Sequence, residues 1–271
     1  MNPLVDRSFA GSIPELYEKL MVPLIFSPYA ADLAARAQAN APSAVLEIAA
    51  GTGVVTRELA RVLGEGTSII ATDLNQPMLD HAASIGTSRP VQWRQADAMQ
   101  LPFADASFDM VVCQFGAMFF PDKSIAFNEA RRVLRPGGVF VFNVWDRIET
   151  SELADEVTRA LAALFPADPP RFLARTPHGY HDRDQITRDL TRGGFTKPAT
   201  IDTVQARSRA DSPSLPAIAY CQGTPLRNEI EARDSSGVAR ATDQATRAIA
   251  ERFGDGPVDS WIQAHVVCVS T

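Results

Sequence analysis

The chain has 271 residues, 45% hydrophobic and 21% charged, which is globular composition and excludes a disordered tail, a collagen-like fibre and a small disulfide scaffold. Twenty-six Lys and Arg against thirty-two Asp and Glu leave a net charge of -6, the wrong balance for gripping nucleic acid or an acidic membrane surface. Cys113, Cys221 and Cys268 are widely spaced in apolar runs and read as thiols of a reducing compartment. No apolar run approaches a membrane span, and no apolar h-region follows Met1–Arg7, so a cytoplasmic protein is expected.

Ser12-Ile13-Pro14-Glu15 reads as a capping box that opens a first helix. Ser27-Pro28 starts a second, running to about Ala39 and stopped by Ala41-Pro42. The pattern then changes to short apolar strands alternating with helices. Strands are predicted over 44–49, 67–72, 91–96, 108–113 and 139–145. Helices are predicted over 54–63, 75–84 and 122–134, the last with Ile125, Phe127, Ala130, Val133 and Leu134 facing inward. Pro136-Gly137-Gly138 reads as the turn between this helix and the fifth strand.

Beyond Asp146 a helix is predicted over 151–165, then a proline-rich loop over 166–177. Asp182-Arg183-Asp184-Gln185 opens a helix that ends at Gly193-Gly194. A sixth strand covers 200–205. Helices broken by Pro213, Pro216 and Pro225 fill 212–253, and a last strand covers 261–269. Alternating strands and helices imply a parallel sheet with right-handed crossovers.

The first strand ends in Glu47-Ile48-Ala49-Ala50-Gly51-Thr52-Gly53. Glycines there let a ligand approach the backbone closely. A dinucleotide fingerprint fits Gly51 and Gly53, but its third position is Thr56. Glu47 shares this loop, where it would repel a pyrophosphate and attract an ammonium or sulfonium. Asp73, at the end of the second strand, is placed for ribose hydroxyls under either reading. Asp97, at the end of the third and followed by Ala98, is placed to accept from an exocyclic adenine amine.

These residues resemble the class I S-adenosylmethionine-dependent methyltransferases, in the broad group that includes the ubiquinone and menaquinone C-methyltransferases. Val45 to Gly53 is similar to the family's first motif, and Thr72-Asp73-Leu74-Asn75 with Met78-Leu79 to its second. Ala96-Asp97-Ala98 with Leu101-Pro102-Phe103, then Phe108 to Gly116 followed by Phe119-Phe120-Pro121-Asp122, and finally Leu134-Arg135-Pro136-Gly137-Gly138 complete an ordered set. The resemblance implies an α/β Rossmann-like fold, a seven-stranded, mostly parallel sheet with helices on both faces and helical lid insertions. It implies S-adenosyl-L-methionine as cofactor and S-adenosyl-L-homocysteine as product. Glu47, Ala49, Gly51, Thr52 and Gly53 would hold the methionine moiety. Asp73 would hold the ribose, and Asp97 with Ala98 the adenine; Leu74 and Met78 of the second motif would also bind the cofactor. Gln114 and Phe115 would face the sulfonium and acceptor, and Tyr17 would close over the cofactor. The strictest form of the first motif has Gly where this chain has Ala49.

The fourth strand ends in Cys113-Gln114-Phe115-Gly116, without the proline turn that positions base or glutamine amino groups. A small-molecule acceptor is therefore expected, and the resemblance to the quinone C-methyltransferases implies C- or O-methylation. Methyl transfer needs a base only if the acceptor is protonated at attack; His178, Tyr180 and His181 are the candidates. His178 and His181 have ligand-like spacing, but no Cys or Glu joins them, so no metal is expected. The chain is expected to form one methyltransferase domain over 1–271. It would hold N-terminal helices over 1–40, a cofactor core over 44–146, and acceptor or lid segments over 149–180 and 211–256. No oligomeric state follows. A nicotinamide-dependent oxidoreductase and a non-catalytic nucleoside-binding protein on the same fold are the competing expectations.

Overall fold

The structure is a computed structural model that describes residues 13–271. The capping-box residue Ser12 lies outside them. The chain divides into two compact units. One holds residues 13–26, Trp145–Gly179 and Gln205–Gln263; the other holds Ser27–Val144, Tyr180–Val204 and Ala264–Thr271.

One seven-stranded sheet has the order β3-β2-β1-β4-β5-β7-β6. Its strands are β1 (Ala44–Ile48), β2 (Ser68–Asp73), β3 (Gln92–Gln95), β4 (Phe108–Gln114), β5 (Leu134–Trp145), β6 (Thr200–Ala210) and β7 (Val258–Ser270). Strands β3, β2, β1, β4 and β5 pair in parallel. The bonds Thr271 N to Gly138 O and Asp146 N to Gln263 O run in opposite chain directions, so β7 is antiparallel to β5.

Winding goes outward from β1 to β3, then returns to β4 and goes the other way. Right-handed crossovers therefore put α3 (Val54–Val62) and α4 (Gln76–Ile85) on one face and α5 (Lys123–Val133) on the other. The point of reversal lies between β1 and β4, where open sheets of this kind bind ligands at the strands' carboxyl ends.

Side-chain alternation fills both faces. Under α3 and α2 (Ser27–Asn40), Leu33, Val45, Leu59, Ile69, Met110, Val112 and Val141 form one core. Under α5, Phe127, Phe140 and Phe142 pack with centroids 4.8–5.7 Å apart.

Several expectations are corrected. Ile125 is 50% exposed. Asp122 caps α5 by accepting from Ile125 N, so the buried stripe runs through Ala126, Phe127, Ala130 and Val133 instead. Strand β5 begins at Leu134, before the Pro-Gly-Gly run. Phe108 pairs with Leu134 but Met110 with Val139, so 135–138 bulge opposite Asp109. Residues 17–26 coil as a π-helical stretch containing Pro23, between α1 (Ile13–Leu16) and α2.

The proline-rich loop contains a helical turn, α7 (Phe172–Arg175), held because buried Glu229 accepts from Arg171 N and Arg175. Pro216 does not break α9 (Ser214–Gln222); in a first turn its missing N–H costs no helix bond. Strands β6 and β7 are longer than expected at both predicted sites. The remaining helices are α6 (Glu152–Leu164), α8 (Arg183–Arg192), α10 (Leu226–Arg233) and α11 (Val238–Phe253).

Candidate functional site

The segment after β1 has three left-handed residues in five positions: Ala49 at φ 55, Gly51 at φ 57 and Gly53 at φ 84. A Cβ on Gly53 would meet Trp93 at 2.9 Å and Ala82 at 3.1 Å, so this glycine is fixed by space as well as by φ. Ala49 carries left-handed strain that a glycine would not.

Glu47 is buried at the centre of the sheet, beside Ala71 of β2 and Val112 of β4. Thr56 Oγ1, one turn into α3, donates to Glu47 Oε2 at 2.5 Å. Thr72 Oγ1 donates to the Glu47 carbonyl at 2.9 Å. Burial drives the Glu47 carboxyl up to about 8; the Thr56 bond and Arg57 oppose the rise, and Asp73 adds to it. The residue that breaks the dinucleotide fingerprint, Thr56, is thus the donor that serves the carboxylate. Its signal in the sequence was a hydroxyl on the first turn of the helix, on the side facing the strand.

Asp73 ties the loop to β2. Its Oδ2 accepts from Gly51 N at 2.8 Å, and its Oδ1 from Asn75 N at 2.8 Å and Asn75 Nδ2 at 3.3 Å. Burial raises its pKa, and those N–H donors pull it back. Leu74 beside it is 41% exposed, while Met78 is buried below Gly51. Ala96 N donates to Asp73 O, bringing the end of β3 alongside. Asp97 and Ala98 are half-buried there, with Asp97 Oδ1 accepting from Met99 N at 2.9 Å.

Gln114 ends β4 and is buried. Phe115 follows in a left-handed conformation, φ 49, with its N–H donating to Asn143 Oδ1 at 2.8 Å. Its ring meets Tyr29 edge-on at 5.3 Å. A Cβ on Gly116 would collide with the Ala49 methyl. The ends of β1, β2, β3 and β4 thus bring together Glu47, Ala49, Gly51, Thr52, Gly53, Asp73, Leu74, Met78, Asp97, Ala98, Gln114 and Phe115. Asn143 belongs to this arrangement and was missed from the sequence, since it carries no motif signature of its own; Gly116, the end of the fourth-strand motif, was not singled out as a site residue.

The other expected residues are dispersed. Tyr17 is half-buried in the other unit and stacks on Phe26 at 4.9 Å. His178 is also there, buried, with Nδ1 at 2.7 Å from the Asp146 carbonyl. A carbonyl only accepts, so Nδ1 carries a proton. Tyr180 lies with the sheet-side unit, and its hydroxyl donates to buried Asp189 at 2.9 Å. Burial, with Asp189 adding to it, raises that phenol's pKa. His181 is half-buried next to Asp182, which caps α8 by accepting from Asp184 N and Gln185 N. Among the described residues, no group of three or more His, Cys, Asp or Glu could hold a metal.

The arrangement fits a nucleoside bearing a positive charge. The Thr52 hydroxyl is buried in the loop with no hydrogen-bond partner. The left-handed glycines open backbone to a ligand, and a buried carboxylate with an elevated pKa stands behind them. Glu47, buried directly behind the loop, favours a positively charged group there over a pyrophosphate.

Residues 46–142 match the family model described as a methyltransferase domain. The chain is 31% identical over 166 residues to the ubiquinone/menaquinone biosynthesis C-methyltransferase UbiE of Teredinibacter turnerae, covering 56% of this chain and 67% of the relative. The UbiE of a Marinomonas species is 31% identical over 171 residues, covering 58% and 68%. The chain thus spans about two thirds of the length of these relatives. In fold it resembles the phosphoethanolamine N-methyltransferase 2 of Haemonchus contortus, seen with phosphomonomethylethanolamine and S-adenosylhomocysteine. That match has a TM-score of 0.60 at 17% identity, over 98% of this chain and 59% of that one. No helix among the described residues is long and apolar enough to cross a membrane. Carboxylates at the strand ends, the left-handed loop at the reversal point of the sheet and the matched family region agree: the chain belongs to the class I S-adenosylmethionine-dependent methyltransferases.

Proposed function

We propose that this methyltransferase acts on a carbon or oxygen of a small molecule, and that the residues at the ends of β1 to β4 hold its cofactor. The observation that carries the site is Glu47, buried, served by Thr56 and raised to about 8, because such a carboxylate is stabilised by a cationic ligand. Glu47, Ala49, Thr52 and the Gly51 and Gly53 backbone hold the methionine portion. Asp73, Leu74 and Met78 hold the ribose side, and Asp97 with Ala98 the adenine. Gln114 and Phe115 orient the reacting end. When bound, the cofactor supplies a methyl group already activated on sulfonium. The protein's share is then mostly orientation and exclusion of water, which can contribute roughly 7–11 kcal/mol.

The relatives' printed name, a C-methyltransferase of quinone biosynthesis, supports carbon as the acceptor atom. The chain works as one methyltransferase domain, with acceptor choice assigned to 149–180 and 211–256, outside the matched family region. Where the acceptor needs deprotonation, His178 and His181 remain the candidates. Tyr180 is committed as a donor to Asp189. The free thiols fit a reducing compartment such as the cytoplasm. Incubation of the enzyme with methyl-labelled cofactor and a panel of hydroxylated aromatic and amine acceptors tests the acceptor class. Label on ring carbon or oxygen supports it; label on nitrogen acceptors alone overturns it.

A further inference from the structure

The turn after β4 is held by an unusually placed cation. Lys123 is the first residue of α5, yet its side chain folds back over the turn it follows. Its Nζ donates to Phe120 O at 2.7 Å and to Met118 O at 3.2 Å. The ammonium also lies 4.9 Å from the centroid of the Tyr180 ring. Tyr180 in turn is fixed by its bond to Asp189, a buried residue of α8.

Partly burying a lysine is costly unless its charge is used. Burial lowers the Lys123 pKa, and Asp189 and Asp122 counter it. The turn's own bonds, Phe119 N to Gly116 O and Phe120 N to Ala117 O, already close it locally. The lysine adds a tie between the turn, α5 and Tyr180. Upstream, the same segment is fixed by Asn143 Oδ1 on Phe115 N, and Gly116 lies against the Ala49 methyl. Any shift of 116–120 therefore reaches Phe115, which is in a left-handed conformation, and Ala49 of the loop after β1.

We propose that Lys123 is a positioning residue of this methyltransferase, setting the cofactor site through the turn at 116–120 that it ties to Tyr180 and Asp189. This rests on the reading of 47–53, 114 and 115 as that site. The ammonium touches no reacting group in this account. It keeps two carbonyls, Met118 and Phe120, in one orientation, so that Phe115 and Gly116 meet the cofactor loop in one arrangement.

The test measures S-adenosylhomocysteine binding by calorimetry, steady-state kinetics and thermal unfolding on the full chain. Lys123→Met is expected to weaken S-adenosylhomocysteine binding and raise the cofactor KM by about tenfold, with kcat within about threefold. Lys123→Arg, which keeps the charge and donors, is expected to recover most of the affinity. If Lys123→Met does not fold, Lys123→Gln takes its place with the same readings. Affinity and KM unchanged while the melting point falls would overturn the proposal, leaving Lys123 a stabilising residue only. Asp73→Ala separates the two claims. If it abolishes binding while Lys123→Met does not weaken it, the Lys123 proposal fails alone. If neither variant changes binding, the site reading fails with it.

Discussion

The methyl of Ala49 occupies the space that a side chain on Gly116 would need. The two residues lie just beyond the ends of the adjacent parallel strands β1 and β4, and neither can be changed without regard to the other. Ala49 stands where the family's strictest motif has glycine, and Gly116 makes room for that extra methyl. The substitution in the first motif and the glycine after the fourth strand are therefore one packing solution. Gly116→Ala is expected to destabilise the protein by about 1–3 kcal/mol through overpacking. Ala49→Gly removes left-handed strain and is expected to be neutral or stabilising by up to about 1 kcal/mol. In the double variant part of the Gly116→Ala cost returns, limited by Cys113 Sγ at 2.8 Å from the same point. Urea unfolding of the four proteins gives the coupling energy; strictly additive changes would contradict the contact.

Glu47 makes a prediction about pH. Its folded-state pKa, about 8, lies above the ordinary carboxyl value that applies when unfolded. Its contribution to stability is therefore complete below about pH 4.5 and is lost as pH rises to about 8. Asp73, also raised, acts in the same direction. A cationic ligand reverses the preference and favours the ionised form, so binding releases a proton below pH 8. Glu47→Gln should flatten the stability slope and weaken S-adenosylmethionine binding by at least about tenfold. Calorimetry in buffers of different ionisation enthalpy counts the proton; wild-type binding without proton release at pH 7 would contradict this account.

Asp73 supports the loop and, in the proposed site, the ribose. Asp73→Ala leaves Gly51 N and Asn75 N without their acceptor. A loss of about 1–3 kcal/mol in stability is expected, together with loss of measurable cofactor binding. Asp73→Asn keeps a single acceptor oxygen and should fall between. Denaturant titration and calorimetry on both variants check the order; intact binding in Asp73→Ala would remove the ribose assignment.

Tyr180 separates a base from a strut. Its hydroxyl donates to Asp189, which is buried, and its raised pKa opposes phenolate formation. Tyr180→Phe should cost stability, about 1–3 kcal/mol for the acceptor left behind, and change kcat by only a few fold. A general base would cost roughly 10²–10⁴-fold. A kcat loss of that size with unchanged melting temperature would restore the catalytic reading of this residue.

The fold was legible where strands are apolar on both faces and carboxylates mark their ends. Glu47, Asp73, Asp97 and the glycine loop were found because their chemistry is written in residue type and in spacing along one strand and its turn. What the sequence left unread depends on pairs far apart in the chain. Ile125 and Ala126 are adjacent, and a helical pattern alone did not decide which faces inward until the Asp122 cap set the register. The start of β5 at Leu134 depends on a bulge opposite Asp109, which no local propensity shows. Asn143 and Lys123 each act on backbone atoms, so no side-chain pairing announced them. Pro216 looked like a breaker because composition does not reveal whether a proline falls in a first turn.

The most direct measurement is transfer of label from methyl-labelled S-adenosylmethionine into a cell extract that is then split into solvent-extractable metabolites, protein and nucleic acid. The account predicts label in the metabolite fraction with wild-type enzyme and its loss with Glu47→Gln or Asp73→Ala. Label confined to protein or nucleic acid would contradict the small-molecule acceptor, and full transfer by both variants would contradict the site.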